Sequence, residues 1–135
     1  MSDLAIIFRL GESPCALPAE ALHEILEDAH VSPAPMAPAS IEGVLNRLGQ
    51  LYVVFDLGSL VGLSLHRPEK VMLFGHANYS FAAWVDEVLG VASISADRLE
   101  TESTLPFQVA TLRYRDSIVP LLNPDAVFRR VDELI

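Results

Sequence analysis

The chain is poor in cysteine and in positive charge. Its single cysteine, Cys15, cannot form a disulfide within the chain, which suits a cytoplasmic protein. Cys15 lies in an apolar stretch without a neighbouring cation to activate its thiol, so we interpret it as a buried core residue. Lysine and arginine together number 9 against 18 acidic residues, a formal charge of −9. Because phosphate binding needs clustered cations, this balance argues against nucleic acid and anionic membrane as direct partners.

Long apolar runs are also absent, although 51% of the residues are hydrophobic. No run approaches the ~20 residues of a membrane-spanning helix. An acidic residue, Asp3, stands where a secretory signal needs positive charge, so no signal peptide is expected. The apolar fraction argues against a disordered chain, and the length of 135 residues is that of one domain.

Residues that could catalyse a reaction or hold a metal form no recognisable pattern. The histidines have no metal-ligand spacing, and we interpret them as surface residues. They are His23, His30, His66 and His76. Asp56 and Asp86 could suggest a carboxylate pair, but each follows a β run, where Asp commonly caps a helix or turn. We therefore expect no enzyme activity, no metal and no cofactor.

Apolar periodicity predicts a chain made mainly of short β-strands. Strands are expected at residues 5–10, 15–17, 43–46, 51–55, 71–76, 81–85, 107–114 and 117–122. A helix is expected from Pro18 to residue 27, because Leu22, Ile25 and Leu26 would share one face. Short helices are also expected after Asp56 and Asn123, and a short capped segment after Ser95. The proline-rich residues 31–40 predict an extended crossing segment.

The two halves of the chain repeat the same order of elements at an offset of about 67 residues. In each half a strand, a turn and a second strand precede a helix or loop, a hairpin and a short helix. Asp56 of the first half falls on Asn123 of the second. Two β units of about 60 residues each would have marginal cores, so we expect them to pack together and share apolar surface.

The run from residue 41 to residue 63 resembles the signature hairpin of CheW-like domains, the adaptors of bacterial chemosensory arrays. That hairpin commonly reads G-V-hydrophobic-N-L-R-G, then an apolar stretch and D-L. This chain has GVLNRLG at 43–49 and DL at 56–57. Other family-like segments are AIIFRLG at 5–11, ALHEI at 21–25, the proline stretch at 33–38 and WVDEVLGV at 84–91.

The resemblance implies a mainly β, CheW-like fold of two packed five-stranded SH3-like barrels with short helices. The barrels would be intertwined subdomains of a single domain spanning residues 1–135. The implied function is that of a non-enzymatic, cytoplasmic chemosensory adaptor that binds the signalling tip of methyl-accepting chemoreceptors. A CheA-type histidine kinase or other CheW-like adaptors would be further partners. A conventional adaptor bridging receptor and kinase, a protein that blocks array growth, and a small-ligand-binding β-barrel stay open as alternatives.

The same resemblance implies that a receptor hairpin tip docks in a groove between the barrels. The residues that would line this groove are Ile6, Ala19, Leu22, Phe81 and Ala82. The alternative for each of them is a plain core role, which helical spacing already suggests for Leu22.

The hairpin departs from the family at one pair of residues. Family members place Arg directly before the hairpin Gly, whereas here Leu48 holds that place and Arg47 precedes it. Successive side chains of a strand point to opposite faces, so Arg47 is expected to face away from the usual side. A local register change is the alternative that would restore it. The turn at Arg115 and Asp116 also lacks the usual glycine, and we expect kinase coupling to be weakened or lost.

Overall fold

The computed structural model describes residues 3–76 and 78–135, which form twelve strands, two α-helices and one 3₁₀ turn. In the first half these are β1 (Leu4–Leu10), β2 (Ser13–Pro18), the 3₁₀ turn (Ala19–Ala21), β3 (Leu22–Glu27), β4 (Ser32–Pro33), β5 (Ile41–Arg47), β6 (Gln50–Phe55) and α1 (Leu57–Val61). In the second half they are β7 (Lys70–His76), β8 (Tyr79–Val85), β9 (Glu87–Ser93), β10 (Arg98–Leu99), β11 (Gln108–Tyr114), β12 (Ser117–Leu122) and α2 (Pro124–Leu134).

The strands form two six-stranded sheets, each of which takes strands from both halves of the chain. Sheet A has the order β10-β11-β12-β2-β1-β9, and sheet B has the order β3-β7-β8-β6-β5-β4. The first two strands of each half thus join the last four strands of the other half. Each sheet joins the two halves through one parallel pair and one antiparallel pair. The parallel pairs are β12 with β2 in sheet A and β6 with β8 in sheet B, and the antiparallel pairs are β1 with β9 and β3 with β7. Neither half contains all the strands of a sheet.

The mainly β fold of two packed β units that the resemblance implies is confirmed. Each sheet has six strands rather than five, because the two-residue strands β4 and β10 lie beside β5 and β11 at the sheet edges. Among the described residues, neither sheet closes into a barrel.

The helix expected from Pro18 to residue 27 is wrong. Ala19–Ala21 form a single 3₁₀ turn, and the following six residues form β3. Along β3 the half-buried Leu22, Glu24 and Leu26 alternate with exposed residues, which is the pattern of a strand with one covered face. β3 pairs with β7, which lies more than 40 residues later in the chain. Tertiary pairing therefore overrides the local apolar spacing that indicated a helix.

No helix begins at Ser95, where the short capped segment is expected. Residues 94–97 form a turn, and β10 follows. The Ser95 hydroxyl instead donates to the Asp3 carboxylate, with Oγ and Oδ2 2.6 Å apart. The hydrogen bonds from Ser95 and Ser93 hold the pKa of Asp3 below its usual range. Ser95 therefore anchors the start of β1 to the end of β9.

The expected helix caps at the ends of β6 and β12 are confirmed. The Asp56 carboxylate accepts a hydrogen bond from the Ser59 backbone N–H, with a donor–acceptor distance of 3.1 Å. The Asn123 side chain accepts one from the Asp125 N–H at 3.0 Å. The two short helices therefore begin at equivalent positions of the two halves.

The largest apolar core lies between the two sheets and is also covered by α2. Sheet A contributes Phe8 and Leu17, sheet B contributes Phe55 and Phe74, and α2 contributes Phe128. The ring centroids of Phe74 and Phe128 are 5.2 Å apart. Two smaller cores lie within the individual sheets.

Cys15 belongs to this shared core. It has no solvent exposure, as the sequence predicts, and burial raises the pKa of its thiol to about 12.

Asp86, which follows β8, is a buried carboxylate with three backbone partners. It is 5% exposed and accepts hydrogen bonds from the N–H groups of Gly11, His66 and Arg67. It thereby ties the turn between β1 and β2 to the segment that joins the two halves. Its role is that of a turn-capping residue, as the sequence predicts.

Replacing Asp86 with Ala should destabilise the fold by about 2–4 kcal/mol, because three backbone donors lose their charged acceptor. Denaturant-induced unfolding measures this change. The matched control is Asp116→Ala, which removes an exposed carboxylate from the turn between β11 and β12 and should change stability by less than about 0.5 kcal/mol. Equal effects of the two changes would contradict the structural role of Asp86.

Candidate functional site

The expected groove residues lie where the chain crosses from sheet A to sheet B. Ile6 is in β1 and Ala19 is in the 3₁₀ turn, which contacts both β1 and β7. Leu22 begins β3 and pairs with Phe74 of β7, which in turn pairs with Phe81 of β8. The side chains of Leu22, Phe74 and Phe81 therefore form a row across sheet B that faces the shared core.

The five candidates differ in how much surface they leave accessible. Ile6, Ala19 and Leu22 are half-buried. Phe81 is 4% exposed, and Ala82 has no exposed surface. Phe81 belongs to the core between the sheets and Ala82 to the smaller core of sheet B, because adjacent residues of a strand point to opposite faces. Of the five candidates, Ile6, Ala19 and Leu22 therefore leave the surface that a partner could contact, whereas Phe81 and Ala82 are buried.

The hairpin of β5 and β6 ends in a regular two-residue turn. Arg47 pairs with Gln50, and the turn residues Leu48 and Gly49 have φ values of 53° and 89°. Positive φ at both positions is what a type I′ turn requires. The Asn46 side chain accepts a hydrogen bond from the Gly49 N–H at 2.9 Å. The register shift in this pair of strands lies at the start of β5, so no local register change moves Arg47 at the turn.

Arg47 forms a two-point ion pair with Glu24 of β3. Its Nη2 lies 2.6 Å from Oε2 and its Nε lies 3.2 Å from Oε1. The hydrogen bonds from Arg47 hold the pKa of Glu24 below its usual range, and Glu24 raises the pKa of Arg47. β3 and β5 are not neighbours in sheet B, so no backbone hydrogen bonds of the sheet join them. The Arg47–Glu24 ion pair therefore links two strands that the sheet itself keeps apart.

The residue at the tip of the hairpin is Leu48. Its relative exposure is 89%, and it is the first residue of the turn, where a left-handed backbone is unfavourable for a residue with a side chain. Arg47 shares a face of β5 with Leu45, which lies in the smaller core of sheet B. The guanidinium is therefore held against the protein's own β3, and the tip presents an apolar side chain.

The ion pair should make stability depend on pH through Glu24. A lowered carboxyl pKa contributes stability that is present above the unfolded-state pKa and is lost as pH falls through the folded-state pKa. We expect Glu24→Gln to destabilise the protein at neutral pH, and the difference from wild type to shrink on acidification. Unfolding curves of both proteins between pH 7 and pH 3 measure this; Glu20→Gln, at an exposed position, is the control. A difference that does not change with pH would contradict the assignment.

The side chains that could bind a metal ion do not cluster in the described part of the structure. Within residues 3–76 and 78–135, no three His, Cys, Asp or Glu side chains are close enough to hold a metal ion. Three of the histidines, at positions 23, 30 and 66, are exposed, and the side chain of His76 lies outside the described part of the structure. No helix of the described residues is long and apolar enough to cross a membrane.

The geometry defines a class of protein: a β domain of two interlocked six-stranded sheets that share an apolar core. The model of the CheW-like domain family matches residues 4–132. The chain belongs to the CheW-like domain family, which confirms the resemblance seen in its sequence.

Two known proteins show how close the relationship is. The chemotaxis protein CheW of Thermotoga maritima is 24% identical over 95 residues, which are 69% of this chain and 63% of that protein. The chain therefore matches less than two thirds of this relative's length. The crystal structure of the scaffolding protein TtCheW from Thermoanaerobacter tengcongensis superposes with a TM-score of 0.77 at 21% identity, covering 91% of this chain and 90% of that one. At this identity the likeness establishes the fold.

The sequence pattern did not indicate the partner of Arg47. A helix from Pro18 would place Glu24 on a solvent face, far from any hairpin. Only the β3 conformation carries Glu24 to the end of sheet B, where Arg47 lies. Glu24 is visible in the sequence, but the direction of its side chain depends on whether residues 22–27 form a helix or a strand.

Proposed function

We propose that this protein is a non-enzymatic chemosensory adaptor that binds the signalling tip of methyl-accepting chemoreceptors in the groove between its sheets. Membership of the CheW-like family supports the adaptor class. The observation that carries the proposal is the accessible apolar surface of Ile6 and Leu22 on either side of the crossing turn. Ala19 would lie between them, and Phe81 would support the groove from the shared core, with Ala82 on the opposite face of the same strand.

Binding would use the apolar surface that these side chains leave uncovered. Leu22 packs against the shared core with part of its surface and exposes the rest. A receptor helix laid over it would remove that remaining surface from water, at about 25 cal/mol per Å² of apolar area. A rigid strand below and an apolar helix face above would give a modest interface, which suits an adaptor that must assemble and rearrange.

Leu22→Asp should weaken receptor binding by about 1–3 kcal/mol, because it places a charge in an apolar contact. Calorimetric titration with a receptor signalling domain measures the loss. The matched control is Val109→Asp, which places the same charge on an exposed residue of β11 in sheet A and should leave binding unchanged. Circular dichroism establishes that both variants are folded.

Unchanged receptor binding by folded Leu22→Asp would remove Leu22 from the site. If this variant does not fold, Leu22→Ala gives the second measurement. If Leu22→Ala lowers the free energy of unfolding but binds the receptor as wild type does, Leu22 is a core residue and not part of the site.

We further propose that coupling to a CheA-type histidine kinase is weakened or lost. The support is the hairpin tip, where Leu48 is exposed in the place of the family's arginine while Arg47 is paired with Glu24. The ion pair engages Nε and Nη2 of Arg47, so fewer donors and less uncompensated charge are left for another anion. The protein would then bind receptors without bridging them to the kinase and would modify or interrupt an array.

The double exchange Arg47→Leu/Leu48→Arg should create kinase binding that the wild type lacks. It returns the guanidinium to the position before Gly49, whereas Arg47→Leu alone removes the ion pair and leaves the tip apolar. Calorimetry against the kinase regulatory domain compares the three proteins. Gain of binding in the double exchange alone supports the mechanism, and micromolar or tighter binding by the wild type would overturn it.

A further inference from the structure

A single linker, residues 62–69, joins the two halves of the chain between α1 and β7. The main non-covalent contacts between the halves are four strand pairs and the core between the sheets. The pairs are β1 with β9, β2 with β12, β3 with β7 and β6 with β8. All of these contacts would be the same if the first half came from one copy of the chain and the second half from another. The path of the linker therefore decides which halves are paired.

Most of this linker lies on the surface. Residues 66–69 are exposed, as are Gly62 and Ser64, whereas Leu63 and Leu65 pack partly against the shared core. A surface segment can extend without displacing any strand of either sheet. Eight residues, fully extended, span about 26–29 Å. The linker of one copy can therefore reach a second copy that lies beside it.

The middle of the linker is held against the protein by Asp86, the carboxylate that follows β8. The backbone N–H groups of His66 and Arg67 donate to it, with 3.1 Å between His66 N and Oδ1. Its third donor is the N–H of Gly11, in the turn between β1 and β2. Asp86 is 5% exposed, so these charge-assisted bonds form away from water, where they are strong.

Close packing of two backbone segments supports this attachment. Gly11 has a φ of 64°, and a Cβ atom at this position would collide with the carbonyl oxygen of Ser64. The turn between β1 and β2 can lie directly on the linker because residue 11 has no side chain. The Asp86 N–H also donates to the Arg9 carbonyl at 3.0 Å. Both halves therefore hold the linker in its present path.

The bonds to Asp86 differ in what an exchange of halves would do to them. Gly11 belongs to the first half and Asp86 to the second, so their bond can form between two copies as well as within one. His66 and Arg67 belong to the linker, and their bonds are lost when the linker extends to another copy. These two bonds therefore favour the monomer over an exchanged dimer.

We propose that Asp86 is a latch that keeps the two halves of one chain paired with each other, and that its release lets a second copy of the chain exchange halves with the first. Exchange of identical elements is a low-cost route to a dimer, because the interfaces already exist. In the dimer, the row of side chains across sheet B would come from two chains. One copy would supply Leu22, and the other would supply Phe74 and Phe81.

Asp86→Asn releases the latch with little change in side-chain size. The amide has one acceptor oxygen instead of two and turns an N–H₂ group towards a backbone donor. After unfolding and refolding at high protein concentration, light scattering should show the wild type as a monomer. Asp86→Asn should raise the association constant of the dimer at least about 10-fold, the effect of losing one hydrogen bond to a charged group. The control is Asp116→Asn, at an exposed turn position, which should stay monomeric.

Deletion of His66 and Arg67 decides the question if Asp86→Asn does not fold. The deletion removes both linker donors and shortens the linker to about 20–22 Å when extended, which favours reaching a second copy over returning to the same one. A mainly dimeric deletion variant supports the proposal, and a monomeric one contradicts it. If Asp86→Asn folds and stays as monomeric as wild type, the proposal is overturned whatever the deletion does.

A disulfide between copies shows whether a dimer forms by exchange. Arg9 of β1 and Glu87 of β9 face each other, with Nη2 and Oε2 3.3 Å apart. Arg9→Cys in one copy and Glu87→Cys in another, each combined with Asp86→Asn, are refolded together under reducing conditions and oxidised after folding. Cys15 is buried with a thiol pKa of about 12, so it should stay reduced. The two copies become linked when β1 of one pairs with β9 of the other.

The matched control pair is Arg113→Cys and Ile118→Cys. These residues also face each other across two strands, but both strands, β11 and β12, belong to the second half. On separate copies this pair should not become linked, because exchange leaves β11 and β12 of each copy together. A disulfide in the first pair alone supports exchange. A dimer that lacks the first disulfide, or that forms both, is a surface association and would overturn the proposal.

Discussion

The structure depends on the burial of phenylalanine rings between its two sheets. Phe128 of α2 lies against Phe55, Phe74 and Phe81, all within 6.3 Å between ring centroids, and Phe8 of sheet A belongs to the same core. Each sheet alone encloses a small apolar cluster, and small units bury too little surface to be stable. Leu22 and Phe81, two of the residues proposed to bind receptors, lie in or against this shared core, so the packing that stabilises the fold also positions them.

The parts of the fold that can be predicted from the sequence are those with local signals. The β5–β6 hairpin, the caps at Asp56 and Asn123 and the C-terminal hairpin each follow from residues close together in the chain. The sequence does not predict β3, because its strand conformation depends on pairing with β7, and the apolar spacing of Leu22 and Ile25 fits a helix equally well. Long-range pairing leaves no such local mark.

The candidate site divides in the same way. The groove positions came from resemblance, and alternation along β8 then separates Phe81 from Ala82, which belong to different cores. The Arg47–Glu24 pair and the meeting of His23 with Gly75 arise from strands far apart in sequence. The residue types alone predict neither contact, because a single histidine and a single glycine give no signal in the sequence that the fold will bring them together.

The exchange of strands between the halves has a consequence for synthesis of the chain. β1 and β2 are synthesised before the other strands of sheet A, yet their partners β9 and β12 lie more than 70 residues later in the chain. The outer edges of β1 and β2 therefore stay unpaired until β9 and β12 have been synthesised. Apolar strands with unpaired edges are prone to aggregation. For sheet A, the rate of elongation sets the earliest moment at which folding can finish.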